Sequence, residues 1–379
     1  MSEKRFALGR TKVLIGAALA AILWVGCSDD SLIAPDDRQG IELDLLDLAP
    51  DVQIQELSPA TLVLRRNTDR LMSQPGVVAT AVGLTDRGRP ALQVYHVGPF
   101  LDGPPSEIDG LPVVLIETLP IVALQEAQER RDPVSPQPGP PCPPKCGGGG
   151  GDGGSFDPTA KHRPAPNGVS LGHPNITAGT LGAIVTNGNS TYILSNNHVL
   201  ANENKAGNGD NALQPGPFDG GNNPGDAIGT LSDYEAIVFT TSANNVVDAA
   251  IAIVNPADVT GATESGGYGA PRSQTVTASV GMRVMKYGRT TSQTKGRVQG
   301  INATVNVGYS TGVARFVDQI VIGGGGFSAG GDSGSLIVGQ SGSDARKPVG
   351  LLFAGGGGTT IANPIDDVLA AFGVTIVGN

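Results

Sequence analysis

From Gly179 to the C-terminus, short runs of β-forming residues alternate with clusters of Gly, Asn and Pro. Leu181 to Val185 and Thr191 to Ser195 flank Asn187-Gly188, a dipeptide suited to the positive φ angles of a tight hairpin turn. Similar runs recur at Ala236 to Thr240, Ala249 to Val254, Arg283 to Lys286, Gly296 to Val307, Gln319 to Ile322, Leu336 to Val338 and Val349 to Phe353. Many short strands with turn punctuation predict an all-β barrel or sandwich. Pro364 to Phe372 then predicts one terminal helix, apolar at Ile365, Val368, Leu369 and Phe372.

Upstream the pattern changes. Ser58 can cap a helix with Pro59 at its first position, and Pro75-Gly76 stops it. Leu62, Leu64 and Leu71 are compatible with helical spacing. Val77 to Leu84 and Ala91 to Val97 read as strands around the turn Thr85 to Gly88, and Leu111 to Thr118 reads as a third. Residues 58–131 therefore predict a small α+β domain, whose helix can cover one sheet face. His96, within a strand, reads as an ordinary surface or packed histidine. Residues 132–155 run from Pro-rich to the glycine run Gly147 to Gly151, a linker first stiff and then flexible. Residues 156–379 form the β-rich domain.

The first residues carry a separate signal. Lys4, Arg5, Arg10 and Lys12 precede the uncharged stretch Val13 to Val25, which Gly26 and Cys27 close. This is the layout of a secretory leader, residues 1–27, short for a membrane span. Its Trp24-Val25-Gly26-Cys27 ending resembles a bacterial lipoprotein signal, which implies lipidation of Cys27. Trp24 departs from the small aliphatic residue usual there. The acidic residues 28–57 read as a tether. The expected location is extracytoplasmic, in a bacterial cell envelope or secreted, with membrane contact only through the lipid. The other cysteines are Cys142 and Cys146. Such a location permits a bridge between them, although Pro143 and Pro144 stiffen the tiny loop.

Charge narrows the function. The net charge of −10 argues against nucleic acid and against a polybasic membrane patch. The Asn-, Asp- and Gly-rich stretch from Asn202 to Gly229 shows no recognised calcium-ligand spacing and reads as a surface loop. Neither a metal nor a cofactor is expected.

The remaining polar residues in the β-patterned region suggest nucleophilic catalysis. A serine nucleophile needs a base, and the base needs a partner that fixes its tautomer. His198 ends a strand in Leu-Ser-Asn-Asn-His-Val-Leu-Ala, Leu194 to Ala201. His162 and His173 lie in upstream loop sequence. Asp248 opens the apolar run Asp248 to Val254, where a carboxylate is costly unless paired. Asp226 and Asp233 are rivals, but no apolar strand follows either. Gly330 to Val338 then reads Gly-Gly-Asp-Ser-Gly-Ser-Leu-Ile-Val. Small residues there allow a tight turn that can aim the Gly331 and Ser333 N–H groups at a developing oxyanion.

The chain order His, Asp, Ser in these contexts resembles the chymotrypsin-like serine peptidases, from about Asn167 to the C-terminus. More narrowly, Leu194 to Ala201, Gln214 to Pro217 with Asp219-Gly220-Gly221, and Gly331 to Ser335 resemble a bacterial and plant trypsin-like group of the narrow-leaf type. The resemblance implies a double β-barrel with His198 as general base, Asp248 as its orienting acid and Ser333 as nucleophile. Gly331 and Ser333 would form the oxyanion hole. Asp332 would need a partner, because no Ile-Val-Gly-Gly start follows a basic residue to supply a new ammonium. The primary pocket would involve Phe327, Phe353 and Gly355. It has no carboxylate to hold Arg or Lys, so small or apolar residues are expected before the scissile bond.

The implied function is endopeptidase cleavage of a polypeptide substrate through an acyl-enzyme. Two other readings stand beside it. One is a non-catalytic binding or assembly module on the same fold, and the other is a peptidase limited to cutting its own 132–155 linker.

Overall fold

The structure, a computed structural model, describes residues 50–100, 103–124 and 156–379. The leader with Cys27, most of the acidic tether, the linker, and Cys142 and Cys146 lie outside these residues. Among the described residues no helix is long and apolar enough to cross a membrane.

Helix α1 (Pro50–Met72) begins before the cap expected at Ser58, and Pro59 lies inside it. Pro59 forfeits one backbone hydrogen bond. Leu57, Ala60, Leu64 and Leu71 are nonetheless buried in one core cluster with Val82, Leu92 and Val94, and that packing offsets the loss. Strands β1 (Val77–Leu84) and β2 (Pro90–His96) form the expected hairpin, with Thr85 N–H donating to Arg89 O at 2.8 Å. His96 Nδ1 meets Gly98 O at 2.7 Å at the end of β2. Strand β3 (Glu107–Ile108) folds back on β4 (Leu111–Glu117), which pairs parallel with β2. Strand β5 (Val122–Ala123) follows.

The next part of the chain builds the first barrel. Its short strands β6 (Ala165–Asn167), β7 (Ser170–Leu171) and β8 (Gly179–Thr180) lead into β9 (Ala183–Thr186) and β10 (Thr191–Ser195). The one-turn helix α2 (Asn197–Leu200) follows directly. Then come β11 (Asn211–Leu213), β12 (Ala227–Tyr234), β13 (Ala250–Val254) and β14 (Val259–Thr263). The main sheet runs β11-β12-β13-β10-β9 and ends on β21 (Thr375–Ile376).

Alternation along these strands explains their unbroken apolar character. Ile184, Ile193, Ala250 and Ala252 point into the first barrel's core, while Val185, Leu194 and Ile251 face a second core shared with Leu336, Val338 and Leu351. Both faces are buried, so both are apolar. The expected strand at Ala236 to Thr240 is absent. Its backbone bonds to asparagine side chains instead: Asn204 bridges both polar groups of Ile237, at 3.0 and 2.8 Å, and Asn245 does the same for Val238, at 2.8 and 3.0 Å. The amides stand in for a neighbouring strand, so the β pattern appears without a ladder.

The second barrel is β15 (Arg283–Gly288), β16 (Ser292–Gly308), β17 (Val313–Gly323), β18 (Leu336–Gly339), β19 (Pro348–Gly356) and β20 (Thr359–Pro364). The order β15-β18-β19-β20-β17-β16 closes because β16 also pairs with β15. Helix α3 (Ile365–Phe372) buries Ile365 and Val368 in the core between the barrels. The chain is mostly β, with the double-barrel, chymotrypsin-like peptidase fold.

The α+β segment joins this architecture directly. β1 pairs antiparallel with β16, Ala79 opposite Val305, so β1 to β4 extend the second barrel's sheet. β5 lies against the barrel as well, parallel to the end of β16 and antiparallel to β19.

Candidate active site

The site forms where the two barrels meet. Helix α2 follows β10 without a loop and carries His198 into the shared interior, where the residue is 1% exposed. Asp248 lies two residues before β13, the neighbour of β10, and is fully buried. His198 Nδ1 and Asp248 Oδ2 are 2.6 Å apart, and the His198 N–H donates to Asp248 Oδ1 at 3.2 Å. Tyr309 donates its hydroxyl to Asp248 Oδ2 at 2.9 Å. The backbone of Asp248 is also fixed: Asn363 Oδ1 accepts from its N–H at 3.1 Å, and Asn196 Nδ2 donates to its carbonyl at 2.7 Å. A buried carboxylate is thus fully engaged, which is the condition for its burial.

Tyr309 and Asn363 were not singled out from the sequence. Tyr309 sits beside Gly308 and Ser310 in what reads as turn sequence. Burial, then the neighbouring Asp248 carboxylate, pushes the Tyr309 phenol well above its ordinary range, so it remains a donor. Its turn is clamped by Glu203, which accepts from the Ser310 hydroxyl at 2.7 Å, from the Thr311 N–H at 2.9 Å and from the Thr311 hydroxyl. Glu203 lies in a left-handed run, with φ of 48, 54 and 69° at Asn202, Glu203 and Asn204. Such angles are uncommon for residues other than glycine, and least so for the two asparagines.

Ser333 lies in the tight turn before β18. Its Oγ donates to Phe353 O at 3.1 Å. β8 braces the turn from the first barrel: the Thr180 N–H donates to Ser333 O at 2.8 Å, and Thr180 Oγ1 donates to Gly331 O at 2.8 Å. Gly334 packs against Ser195, three residues before His198. The turns that carry Ser333 and His198 are therefore neighbours. Gly331 has φ of 93°, and a Cβ there would come 2.5 Å from Thr290 Oγ1, so only glycine fits. Among the described residues neither the Gly331 nor the Ser333 N–H donates to a protein acceptor. Two undonated N–H groups on one turn can receive a developing oxyanion.

Asp332 has found its partner. It is fully buried, and Lys286 Nζ, also fully buried, donates to its Oδ2 at 3.1 Å. Asp332 also accepts from the Thr290 N–H at 2.9 Å, the Ala329 N–H at 3.0 Å and the Thr291 hydroxyl at 2.7 Å. Burial pulls the Lys286 ammonium below its ordinary range, against the opposing pull of Asp332. An internal lysine thus holds the carboxylate next to Ser333 in place. The Asp219 motif has a similar part. Asp219 accepts from Arg289 Nε at 2.8 Å and also from Nη2, and a Cβ on Gly331 would lie 3.0 Å from Arg289 Nη1. This forked pair underlies the Gly331 turn.

The rival acids are used elsewhere. Asp226 pairs with Lys161 at 2.6 Å, and Asp233 accepts from the neighbouring Tyr234 N–H at 2.9 Å. His173 meets Asp210 at 3.3 Å and His162 meets Asp157 O at 2.8 Å. Of the expected pocket residues, Phe327 and Gly355 line a cavity of about 330 Å³, and no Asp or Glu is among its lining residues. Phe353 contributes its carbonyl to Ser333, while its ring packs on Phe316 in the core, centroids 4.8 Å apart.

Comparison with known proteins matches part of the chain to one family model and to a set of solved structures. The family model of the Nal1 C-terminal domain matches residues 250–362. No curated protein sequence matches the chain. Among solved structures, the chain is similar to protease A of Thermobifida fusca, at 21% identity and a TM-score of 0.41, covering 57% of this chain and 100% of that one. A glutamic acid-specific serine protease with a histidine triad in substrate binding gives 23% identity and a TM-score of 0.40, covering 56% and 100%. The chymotrypsin of Cellulomonas bogoriensis gives 18% identity and a TM-score of 0.39, covering 56% and 98%.

Proposed function

We propose that this chain is a serine endopeptidase. The observation that carries the reading is the buried His198–Asp248 contact of 2.6 Å beside the Ser333 turn, whose Gly331 and Ser333 N–H groups donate to no acceptor among the described residues. With Nδ1 committed to Asp248, the base is His198 Nε2. It takes the Ser333 proton as Oγ attacks a peptide carbonyl, and returns it to the leaving amine. Asp248, steadied by Tyr309, holds the tautomer and stabilises the imidazolium. The Gly331 and Ser333 N–H groups bind the oxyanion, and water then releases the acyl group.

The cavity of about 330 Å³ is lined by glycines, Phe327 and Ala329 with the hydroxyl residues Ser328, Thr359 and Thr360 and no carboxylate, which supports substrates with small or apolar residues, rather than Arg or Lys, before the scissile bond. The leader read in residues 1–27 would place the chemistry outside the cytoplasm, on a lipid anchor at Cys27. A peptide library incubated with the purified protein tests the reading. Cleavage after small or apolar residues that vanishes in Ser333→Ala is expected. A profile dominated by Arg or Lys would refute the pocket assignment, and no Ser333-dependent cleavage would refute the enzyme.

A further inference from the structure

β19 has two edges, and the chain uses both of them beside the nucleophile. β20 pairs along one edge from Gly350 to Gly356. The other edge takes β18 at Gly350 and Leu351, and then the Ser333 turn. There the Leu352 N–H donates to Ser335 O at 3.1 Å, and the Gly334 N–H donates to Leu352 O at 2.8 Å. Phe353 follows, and its carbonyl accepts from Ser333 Oγ at 3.1 Å. At the next two residues this edge belongs to β5, with Ala354 opposite Ala123 and Gly355 opposite Val122. The nucleophile's turn and β5 thus lie on the same edge of one strand, with Phe353 between them.

Residues 118–123 are fastened there as a strap. Thr118 Oγ1 donates to Gly356 O at 3.1 Å. The Gly308 N–H donates to Ile121 O at 3.0 Å, which ties the strap to the residue before Tyr309. Val122 is flanked by a strand on each side, Gly308 of β16 and Gly355 of β19. Ile121 and Ala123 are buried in one core cluster with Tyr309 and Phe353. Gly356 makes room for the strap, because a Cβ there would lie 2.3 Å from the Pro120 carbonyl oxygen. Pairing on both sides and two buried side chains make the strap a fixed part of the fold. Leu119 within it and Leu124 just beyond it line the same cavity of about 330 Å³ as Phe327 and Gly355.

An extended peptide gains affinity by adding a strand to a free sheet edge. A substrate carbonyl at Ser333 Oγ lies beside Phe353, and the pairing groups that come next on this edge are those of Ala354 and Gly355. The strap already uses them. We infer that the strap takes the place, along β19, of the substrate residues upstream of the one before the scissile bond, so that on the acyl side the enzyme reads a single side chain. The inference rests on the serine peptidase reading and names its substrate class: peptide bonds recognised through the residue before the scissile bond, in exposed turns or near a peptide's start. Residues further upstream leave β19 for solvent and add nothing to recognition.

A series of blocked peptide substrates tests this, with the same residue before the scissile bond and one, two or four residues in all on the acyl side. For the full wild-type chain kcat/KM is expected to stay within about threefold across the series, where a free edge gaining two or more backbone hydrogen bonds would raise it by about tenfold or more. Val122→Pro removes an N–H from a residue with strands on both sides and should loosen the strap. In that variant the four-residue substrate should gain about tenfold over the one-residue substrate. A wild type whose kcat/KM climbs steeply with length overturns the inference and leaves the peptidase reading standing. So does a flat series in a folded Val122→Pro whose Ile121 to Ala123 amides have lost their protection from hydrogen exchange. Absence of Ser333-dependent hydrolysis of every member overturns both. Should Val122→Pro not fold, the wild-type series decides the matter alone.

Discussion

Tyr309 donates its hydroxyl to Asp248 Oδ2 at 2.9 Å, the same oxygen that meets His198 Nδ1. A phenol on the second barrel thereby orients a carboxylate on the first. Tyr309→Phe keeps the ring and removes the donor. The lost hydrogen bond is worth about 1 kcal/mol, so kcat should fall roughly five- to tenfold with KM little changed. Asp248→Asn, which upsets the tautomer itself, should cost about 10⁴-fold. Steady-state kinetics on one peptide separates the two.

Lys286 and Asp332 form a buried pair with no solvent contact. Removing one partner leaves a buried charge alone, which costs about 3–5 kcal/mol. Lys286→Met should therefore lower the denaturation midpoint and disorder the Ser333 turn. Adding Asp332→Asn should recover much of the stability. Chemical denaturation of the single and double variants measures this coupling.

Glu203 gives a pH signature. Burial pushes its carboxyl up, but the Thr311 and Ser310 hydrogen bonds outweigh this and hold it below the ordinary range. In the unfolded chain the group titrates near about 4.3. The unfolded state therefore takes up the proton first as pH falls. The stabilisation is complete above that value and is lost as pH drops through the depressed folded value. Glu203→Gln should flatten the acid side of the stability curve, as thermal melts between neutral and acid pH would record.

A Cβ at Gly331 would press on Thr290 and turn an N–H of the anion site. Gly331→Ala should lower kcat by about 10²–10³-fold, the cost of losing one such donor. Retained binding of a peptide to the folded variant would locate the loss in the chemical step.

His198, Asp248 and Ser333 stood out in the sequence because each sits in a distinctive local context, and the structure brings His198 within 2.6 Å of Asp248. The hydrogen-bond network around these residues did not stand out. Lys286 lies in a strand where alternation gives no sign that its ammonium points inward to Asp332. Tyr309 is disguised by Gly308 and Ser310 as turn sequence. Asn204, inside the stretch read as a surface loop, and Asn245 replace a strand neighbour for Ile237 and Val238. The segment 58–131 read as a unit of its own because its hairpin is locally complete. Its pairing with β16 joins residues more than two hundred positions apart, and no local pattern encodes that.

The most direct measurement is the mass of the intact protein after treatment with a fluorophosphonate. Activation of Ser333 by His198 predicts one adduct, mapped to Ser333, lost in Ser333→Ala and strongly slowed in His198→Ala. Folded wild-type protein that gains no adduct, or an adduct that survives Ser333→Ala, would contradict it.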